Sequence, residues 1–277
     1  MKIYPQGGYT VKADGVRRKN HCPFEYVESK HGILIKVKIC NEQAKPLFEL
    51  TWFFLGIQLE SPAPATRRHW PAFSWACFLV SIPVFLQAPL VRSFPLVSLA
   101  CTLFLWLGGA WLGYRYPQRW WGDLLQGFSW SWLAGSLYWG WWRSEPLLHL
   151  PIEALALPLA LWGLYTGVGK VGHSFYLGSL VGTAITDGYF YLTDLIPYWR
   201  QAINAPPENI SILLREAVAK METPWGLGCA ATLVTLLLLI GCIPLKTNSP
   251  ATWVFSGAVL STLLVDGIFW ASVYFVL

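Results

Sequence analysis

The chain has 277 residues, of which 55% are hydrophobic and only 13% are charged, and it contains 17 tryptophans. Soluble domains carry roughly 25% charged residues, so this composition excludes a soluble globular protein and predicts an integral membrane protein. The net charge of +5 is concentrated at the start, because residues 1–70 hold eleven of the twenty Lys and Arg but six of the fifteen Asp and Glu. No nucleic-acid motif accompanies these basic residues, so we assign them to an arm in solvent or against anionic lipid headgroups.

Residues 1–66 form this polar, basic N-terminal arm. Residues 32–39 have a β-like pattern, whereas the apolar stretch 47–59 is too short and too interrupted to cross a membrane. The arm shows neither sustained periodicity nor a signal-peptide pattern. Three interpretations of the arm stay open: a small folded unit, a disordered segment and an error in the assigned start site.

From residue 67 onward, apolar stretches of about twenty residues recur, which is the length that a helix needs to cross roughly 30 Å of hydrocarbon. The sequence therefore predicts an all-α fold over 67–277, a polytopic membrane helix bundle with about seven transmembrane helices. Pro83 lies inside the first stretch and predicts a kink there. The predicted helices are 72–90, 95–113, 121–142, 150–168, 173–196, 225–245 and 253–276.

Trp and Tyr cluster where these helices should end, as in residues 114–121 and 138–142. Amphipathic rings of this kind favour the headgroup depth of a membrane, so we interpret the clusters as interfacial belts. An aromatic box for a pigment or a quinone is the alternative.

The link between the fifth and sixth predicted helices contains an amphipathic segment, 208–221. Its apolar residues recur at helical spacing, while Arg215, Glu216 and Lys220 occupy the other side. This pattern predicts an interfacial helix that lies along the membrane or docks onto the bundle. The apolar face consists of Ile210, Leu213, Leu214, Ala217, Val218 and Met221.

The orientation follows from the basic residues near the predicted helix ends. Six lie on the side of the N-terminus and five on the other side. The basic arm adds to the first group, so the positive-inside rule predicts a cytoplasmic N-terminus.

Two apolar runs, 178–191 and 257–270, repeat a glycine, a threonine, an Asp-Gly pair and a phenylalanine at matching offsets. The repeat places Asp187 and Asp266 at equivalent positions in two parallel membrane helices. An ionised Asp inside a bilayer costs about 3 kcal/mol or more, so such residues are candidates for function. If the equivalent faces meet, the two carboxyls would share a proton or a cation. The alternative is that each acid is a hydrogen-bonding contact between closely packed helices.

Three further acids have simpler interpretations. Asp194 follows Asp187 on the same face, near a helix end where water is available. Glu153 is predicted in the first turn of the fourth helix, where the helix dipole favours a carboxylate, and Asp123 has the same interpretation at the start of the third.

Among the histidines, His173 opens the fifth predicted helix and is a weak candidate for a chlorophyll magnesium or a haem iron, as are His69 and His149. The six cysteines show no ligand spacing and are interpreted as packing residues. We predict no metal site and no catalytic residues, and the sequence does not identify a cofactor.

Residues 80–92, 120–127 and 172–179 give the chain a resemblance to a family of uncharacterised cyanobacterial multi-pass membrane proteins. The resemblance covers residues 70–277 and leaves out the arm. It implies the thylakoid or plasma membrane of a phototroph and supplies no catalytic residues.

These observations predict an accessory or assembly factor for a photosynthetic membrane complex. The alternative is a small transporter for protons or a cation that uses Asp187 and Asp266, and the third hypothesis is a membrane enzyme acting on a lipid or an isoprenoid. The expected partners are the lipid bilayer and a membrane-protein complex, with no nucleic acid and no identified soluble substrate.

Overall fold

The structure is a computed structural model that describes residues 25–29, 32–36 and 69–276. The chain divides into two units, Met1–Ile57 and Gln58–Leu277. The predictions of a disordered arm, of a start-site error and of a short apolar stretch at 47–59 lie outside the described residues.

The first unit contains a β-hairpin. Strand β1 (Glu25–Ser29) pairs with strand β2 (Gly32–Lys36) in an antiparallel ladder. The β-like pattern at 32–39 therefore coincides with a strand over its first five residues, and residues 37–39 lie outside the described part of the chain.

Throughout 69–276, all the regular elements are helices. Five segments are long and apolar enough to cross a membrane, so the prediction of an all-α membrane bundle is confirmed. These segments are Trp70–Ser93, Pro95–Arg115, Pro146–Thr166, Pro224–Lys246 and Pro250–Val273.

The first segment contains α1 (Trp70–Ile82), a π-helical stretch (Pro83–Gln87) and α2 (Ala88–Ser93), and the second segment is α3 (Pro95–Arg115). Proline has no N–H to donate and crowds the preceding turn. The distortion that the sequence predicts at Pro83 takes the form of a wide turn, in which the N–H of Ala88 donates to the carbonyl of Pro83.

The third predicted helix is α4 (Trp121–Leu137), which continues as a second π-helical stretch (Tyr138–Trp142), and the fifth is α7 (Lys170–Leu192). Both are less apolar than the five segments above. Ten of the seventeen residues of α4 are buried by the rest of the chain. Neighbouring helices, and not lipid, contact much of the surface of α4 and α7. Small and polar residues are therefore tolerated on these two helices.

The fourth predicted helix, 150–168, is interrupted, so the prediction of one continuous helix is wrong. Pro151 and Pro158 each lack an N–H, and Pro158 restarts the helix because a proline is accepted in a first turn. The segment consists of a 3-10 turn (Pro146–Leu148), α5 (His149–Glu153), a second 3-10 turn (Ala154–Ala156) and α6 (Leu157–Thr166).

A tight turn joins α6 to α7. Gly167 and Gly169 have φ angles of +81° and +64°, a region that glycine enters without steric cost. The N–H of Val171 then donates to the Asp123 carboxylate at 2.8 Å. Asp123 was predicted to stabilise the start of its own helix, but its carboxylate caps the start of the neighbouring α7.

Two helices follow α7 before the bundle resumes, namely α8 (Ile196–Asn204) and α9 (Pro207–Met221). The second coincides with the amphipathic segment predicted at 208–221. Val218 of the predicted apolar face is buried, whereas Arg215 and Glu216 of the polar side are exposed.

The last part of the bundle consists of α10 (Pro224–Cys242), a 3-10 turn (Ile243–Lys246) and α11 (Pro250–Val276). Helices α7 and α11 pack side by side. The Gly182 position lies against Thr262, and the Thr186 hydroxyl donates to Asp266. In both contacts, the two residues are separated by 80 positions in the sequence. That constant offset shows that the two repeated runs pack in parallel, almost in the register of the repeat itself.

Contacts between connecting segments fall into two groups, one at each end of the bundle. Consecutive long helical segments begin at opposite ends of the bundle, so the seven predicted helices alternate in direction. Seven membrane passes and a cytoplasmic N-terminus stay predictions. The contacts at one end are Trp199 to Arg143, Arg200 to Glu145, Lys220 to Asp194 and Trp225 to Leu192, and those at the other are Val171 to Asp123 and His69 to Trp253.

Candidate functional site

A histidine and an aspartate meet inside the bundle. The Nδ1 atom of His149, the first residue of α5, lies 3.0 Å from each carboxylate oxygen of Asp187 on α7. The two side chains are only 14% and 6% exposed. One hydrogen is shared between the imidazole and the carboxyl, and either residue can carry it. This hydrogen bond offsets the free-energy cost of burying the two polar groups.

Aromatic rings surround the imidazole of His149. The Tyr138 ring lies 4.4 Å away, the Trp199 ring 5.9 Å and the Trp139 ring 6.2 Å between centroids. Trp139 and Trp199 are nearly parallel to each other, with an interplanar angle of 15°. Rings at such distances pack against the imidazole, whose side chain is only 14% exposed to water. We call these four residues, together with Asp187, the His149 site.

The Tyr138 hydroxyl is the most unusual group of the His149 site. The residue has no exposed surface, and its hydroxyl makes no hydrogen bond within the described part of the chain. Its electrostatic neighbours are the carboxyls of Asp187 and Glu145 and the hydroxyl of Tyr191. A buried hydroxyl in this situation is a place where water or a ligand is expected to bind.

Glu153 lies close to the His149 site. The charges of His149 and Asp187 act on its carboxyl, and the Tyr176 hydroxyl donates to its backbone carbonyl at 2.5 Å. Glu153 is the last residue of α5, where a helix carries negative partial charge. Its predicted position in a first turn is therefore wrong, and the helix dipole does not stabilise its carboxylate.

Helix α8 covers the His149 site at one end of the bundle. Its Trp199 donates from Nε1 to the Arg143 carbonyl at 3.3 Å, and the Arg200 guanidinium lies 2.5 Å from the Glu145 carboxylate. The Glu145 side chain is 42% exposed, and its hydrogen bond with Arg200 holds its pKa below the usual range. The Glu145 carboxylate is therefore ionised, accessible to water and paired with Arg200.

Asp187 and Asp266 have separate hydrogen-bond partners. The Thr186 hydroxyl donates to Asp266 at 2.8 Å, whereas Asp187 contacts His149, although the two carboxyls act on each other electrostatically. Asp187 precedes the end of α7 at Leu192 by five residues, about 7.5 Å along the axis. Asp187 thus lies nearer to the end of α7 than to its middle.

The other two predicted site residues lie elsewhere. Asp194 follows α7 and forms a 2.6 Å ion pair with Lys220, whose pKa is raised by that hydrogen bond. His173 lies in the first turn of α7, in contact with the Gly163 position of α6. Among the residues from 69 to 273, no three His, Cys, Asp or Glu side chains are grouped as metal ligands.

A second buried polar network contains no titratable group. The Gln87 amide donates to the Trp132 carbonyl and to the Ser136 hydroxyl at 2.5 and 2.9 Å, and the Trp132 indole donates to the Ser98 carbonyl at 2.8 Å. This network joins the π-helical stretch after α1 to α3 and α4. We assign it to packing, because it offers no proton or charge for chemistry.

Reasoning from the sequence identified Asp187 but not its partner. His149 was interpreted as a weak candidate ligand for a chlorophyll magnesium or a haem iron, and Tyr138 as part of an aromatic belt. No spacing rule connects residues 38 positions apart, so the only available signal was that a buried carboxyl needs a partner.

The chain belongs to a family described as a protein of unknown function, DUF3120, whose family model matches residues 76–274. The predicted resemblance to an uncharacterised family is confirmed over this range, which contains the whole His149 site. No curated protein and no solved structure matches the chain.

Proposed function

We propose that the protein moves a proton or a cation through the membrane and that the His149 site binds this ion on its way. The observation that carries the proposal is the buried pair of His149 and Asp187. Ionisable residues inside a bundle are costly, and they characteristically mark ion pathways.

The balance of charge near the site supports a positively charged ion. Asp187, Asp266 and Glu153 interact electrostatically within this region, and His149 is the basic group among them. A carboxyl can hold a proton when it is neutral and attracts a cation when it is ionised, and neither form attracts an anion.

Ion flux into proteoliposomes tests the proposal. We expect Asp187→Asn to lower the flux about tenfold, because the amide keeps the shape of the carboxyl but cannot carry its charge or take up a proton. Asp266→Asn should lower the flux less, since the Asp266 carboxyl accepts a hydrogen bond from Thr186 and does not contact His149. A pH-sensitive dye would report protons, and radioactive sodium and rubidium would report metal cations.

Asp194→Asn is the matched control, because this exposed carboxyl pairs with Lys220 outside the site. Its flux should equal that of the native protein. Equal flux in native protein and Asp187→Asn, at equal amounts of inserted protein, would refute the proposed role of the site.

A second candidate function is an accessory or assembly factor for a membrane complex in the thylakoid or plasma membrane of a phototroph. One observation favours it: only 11% of the most apolar stretch of Pro95–Arg115 is buried within the chain. Phe104, for example, is 72% exposed. A partner helix would cover this surface as well as lipid does.

This candidate predicts that a tagged copy migrates with a larger complex on a native gel. Phe104→Ala should weaken that association, whereas Phe78→Ala, on the exposed side of α1, should not. A single monomeric band under gentle detergent would contradict an assembly role.

The third hypothesis, a lipid or isoprenoid enzyme, gains no support from the groove on the same surface. The groove has a volume of 290 Å³ and contains no acid, base or thiol. It therefore offers an apolar chain a place to lie, and the hydroxyls of Thr102 and Ser129 have no base beside them in the lining that could activate them as nucleophiles. Its lining residues are Leu99, Thr102, Leu103, Trp106, Ser129 and Trp130.

A further inference from the structure

The groups of the His149 site suit a proton better than a metal cation. Alkali and alkaline-earth ions need about six oxygen ligands around one point. Here the Asp187 carboxyl already forms a hydrogen bond with the His149 imidazole, and the hydroxyl that interacts with it electrostatically is the phenol of Tyr138. Within 69–273 there is also no grouped set of three His, Cys, Asp or Glu ligands.

The buried pair of His149 and Asp187 can take up one more proton. With one hydrogen between a neutral imidazole and a carboxylate, across a 3.0 Å contact, the pair of His149 and Asp187 carries one negative charge. Adding a proton gives an imidazolium next to a carboxylate, or a neutral imidazole next to a carboxylic acid, and either form neutralises the pair. The rings of Tyr138, Trp139 and Trp199 pack around the imidazole, with centroids 4.4 to 6.2 Å from its own.

Every element that packs around His149 contributes to its electrostatic surroundings. Asp187 comes from α7, Glu153 from its own helix and Tyr138 from the π-helical stretch after α4. Helix α8 brings Arg200, whose positive charge is paired with Glu145. The nearest titratable groups are therefore mostly acidic, which favours uptake of a proton over its exclusion.

Tyr138 interacts with both the buried pair and an exposed acid. Its ring lies 4.4 Å from the His149 ring, and its buried hydroxyl is an electrostatic neighbour of Asp187, which is buried, and of Glu145, which is exposed. The hydroxyl has no hydrogen-bond partner among the described residues. A phenol hydroxyl both donates and accepts hydrogen bonds, so it can pass a proton on without becoming charged.

We propose that the transported ion is a proton and that the Tyr138 hydroxyl relays it between Glu145 at the surface and the buried pair of His149 and Asp187. This inference rests on the proposed function and names the ion and its route.

The transfer conserves protons and leaves Tyr138 neutral. The hydroxyl oxygen accepts a proton from the Glu145 side, directly or through a bridging water, as its own hydrogen moves to the Asp187 side. One O–H bond forms while another breaks. The incoming proton ends on the pair of His149 and Asp187, and no other reactant is needed.

Tyr138→Phe tests the relay by removing one oxygen while keeping the ring that packs on His149. In proteoliposomes we expect proton flux to fall about a hundredfold, the lower end of the loss typical of removing one proton-transfer group. The native protein should move neither sodium nor rubidium. Tyr176→Phe is the matched control, because its buried hydroxyl bonds to the Glu153 carbonyl and lies outside the route, so its flux should stay native.

A second variant covers the case in which Tyr138→Phe fails to fold. Glu145 is exposed, so Glu145→Gln should insert normally and lower proton flux about threefold by removing the surface acceptor. Native proton flux in Tyr138→Phe, or in Glu145→Gln where the first variant does not fold, would overturn the relay. Flux of sodium or rubidium that needs Asp187 would overturn the choice of ion but leave the proposed function intact. A native protein that moves no ion would overturn both.

Discussion

Replacing His149 with leucine is expected to lower the free energy of unfolding by about 3 kcal/mol, because the change leaves the Asp187 carboxyl buried without its partner. Breaking a buried ion pair costs about 3–5 kcal/mol, and the lower figure applies because Asp187 can take up a proton once it is alone. The shift can be measured as the unfolding midpoint when mixed micelles are titrated with a denaturing detergent.

His69→Leu is the control for this prediction. His69 contacts the Trp253 ring at 6.4 Å near the other end of the bundle, and its loss should cost less than about 1 kcal/mol. Equal effects of the two substitutions would show that the His149 contact contributes no more than ordinary interfacial packing.

Replacing Gly127 with alanine is expected to destabilise the bundle by about 3 kcal/mol. A Cβ atom on Gly127 would overlap the backbone of Gly172 at the contact between α4 and α7. Backbone atoms cannot rotate out of the way as a side chain can, so the helices must separate. The same detergent titration measures the loss.

Gly188→Ala is the matched control, since its Cβ would meet no other atom within 4 Å. This substitution should be neutral or stabilise the helix by up to about 1 kcal/mol, because alanine favours helical backbone more than glycine does. If Gly127→Ala were equally harmless, α4 and α7 would not approach as closely as the structure places them.

The sequence predicted helices correctly where the hydropathy or the apolar spacing of a single segment is enough to determine its structure. Segments such as 95–113 and 225–245 are apolar over a membrane-spanning length, and the apolar spacing in 208–221 determines an amphipathic helix. Their structures depend on each segment's own residues and on the surrounding lipid, which is the same for every protein of this class.

Tertiary contacts decided the rest of the fold. The carboxylate of Asp123 is near the start of its own helix in sequence, but the close contact of Gly127 with Gly172 brings it to the first N–H groups of α7. Likewise, α4 and α7 tolerate polar residues because other helices cover them, and a hydropathy pattern does not reveal which helices lie inside a bundle.

The sequence identified one of the two residues of the buried pair. Asp187 stood out because a carboxyl in an apolar run needs a physical explanation. Its partner His149 is the first residue of α5, directly after a 3-10 turn, so its contact with α7 depends on the path of the whole segment. Tyr138 belongs to a run of aromatic residues that also fits an interfacial belt, and only burial distinguishes it from its neighbours.

The central claim is that His149 and Asp187 form one coupled unit inside the bundle, and a double-mutant cycle tests it most directly. Unfolding free energies would be measured for the native chain, His149→Leu, Asp187→Leu and the double variant. We predict that the double variant is more stable than the sum of the single losses by about 2 kcal/mol, because it leaves neither polar group unpaired. Losses that add within about 0.5 kcal/mol would contradict the claim.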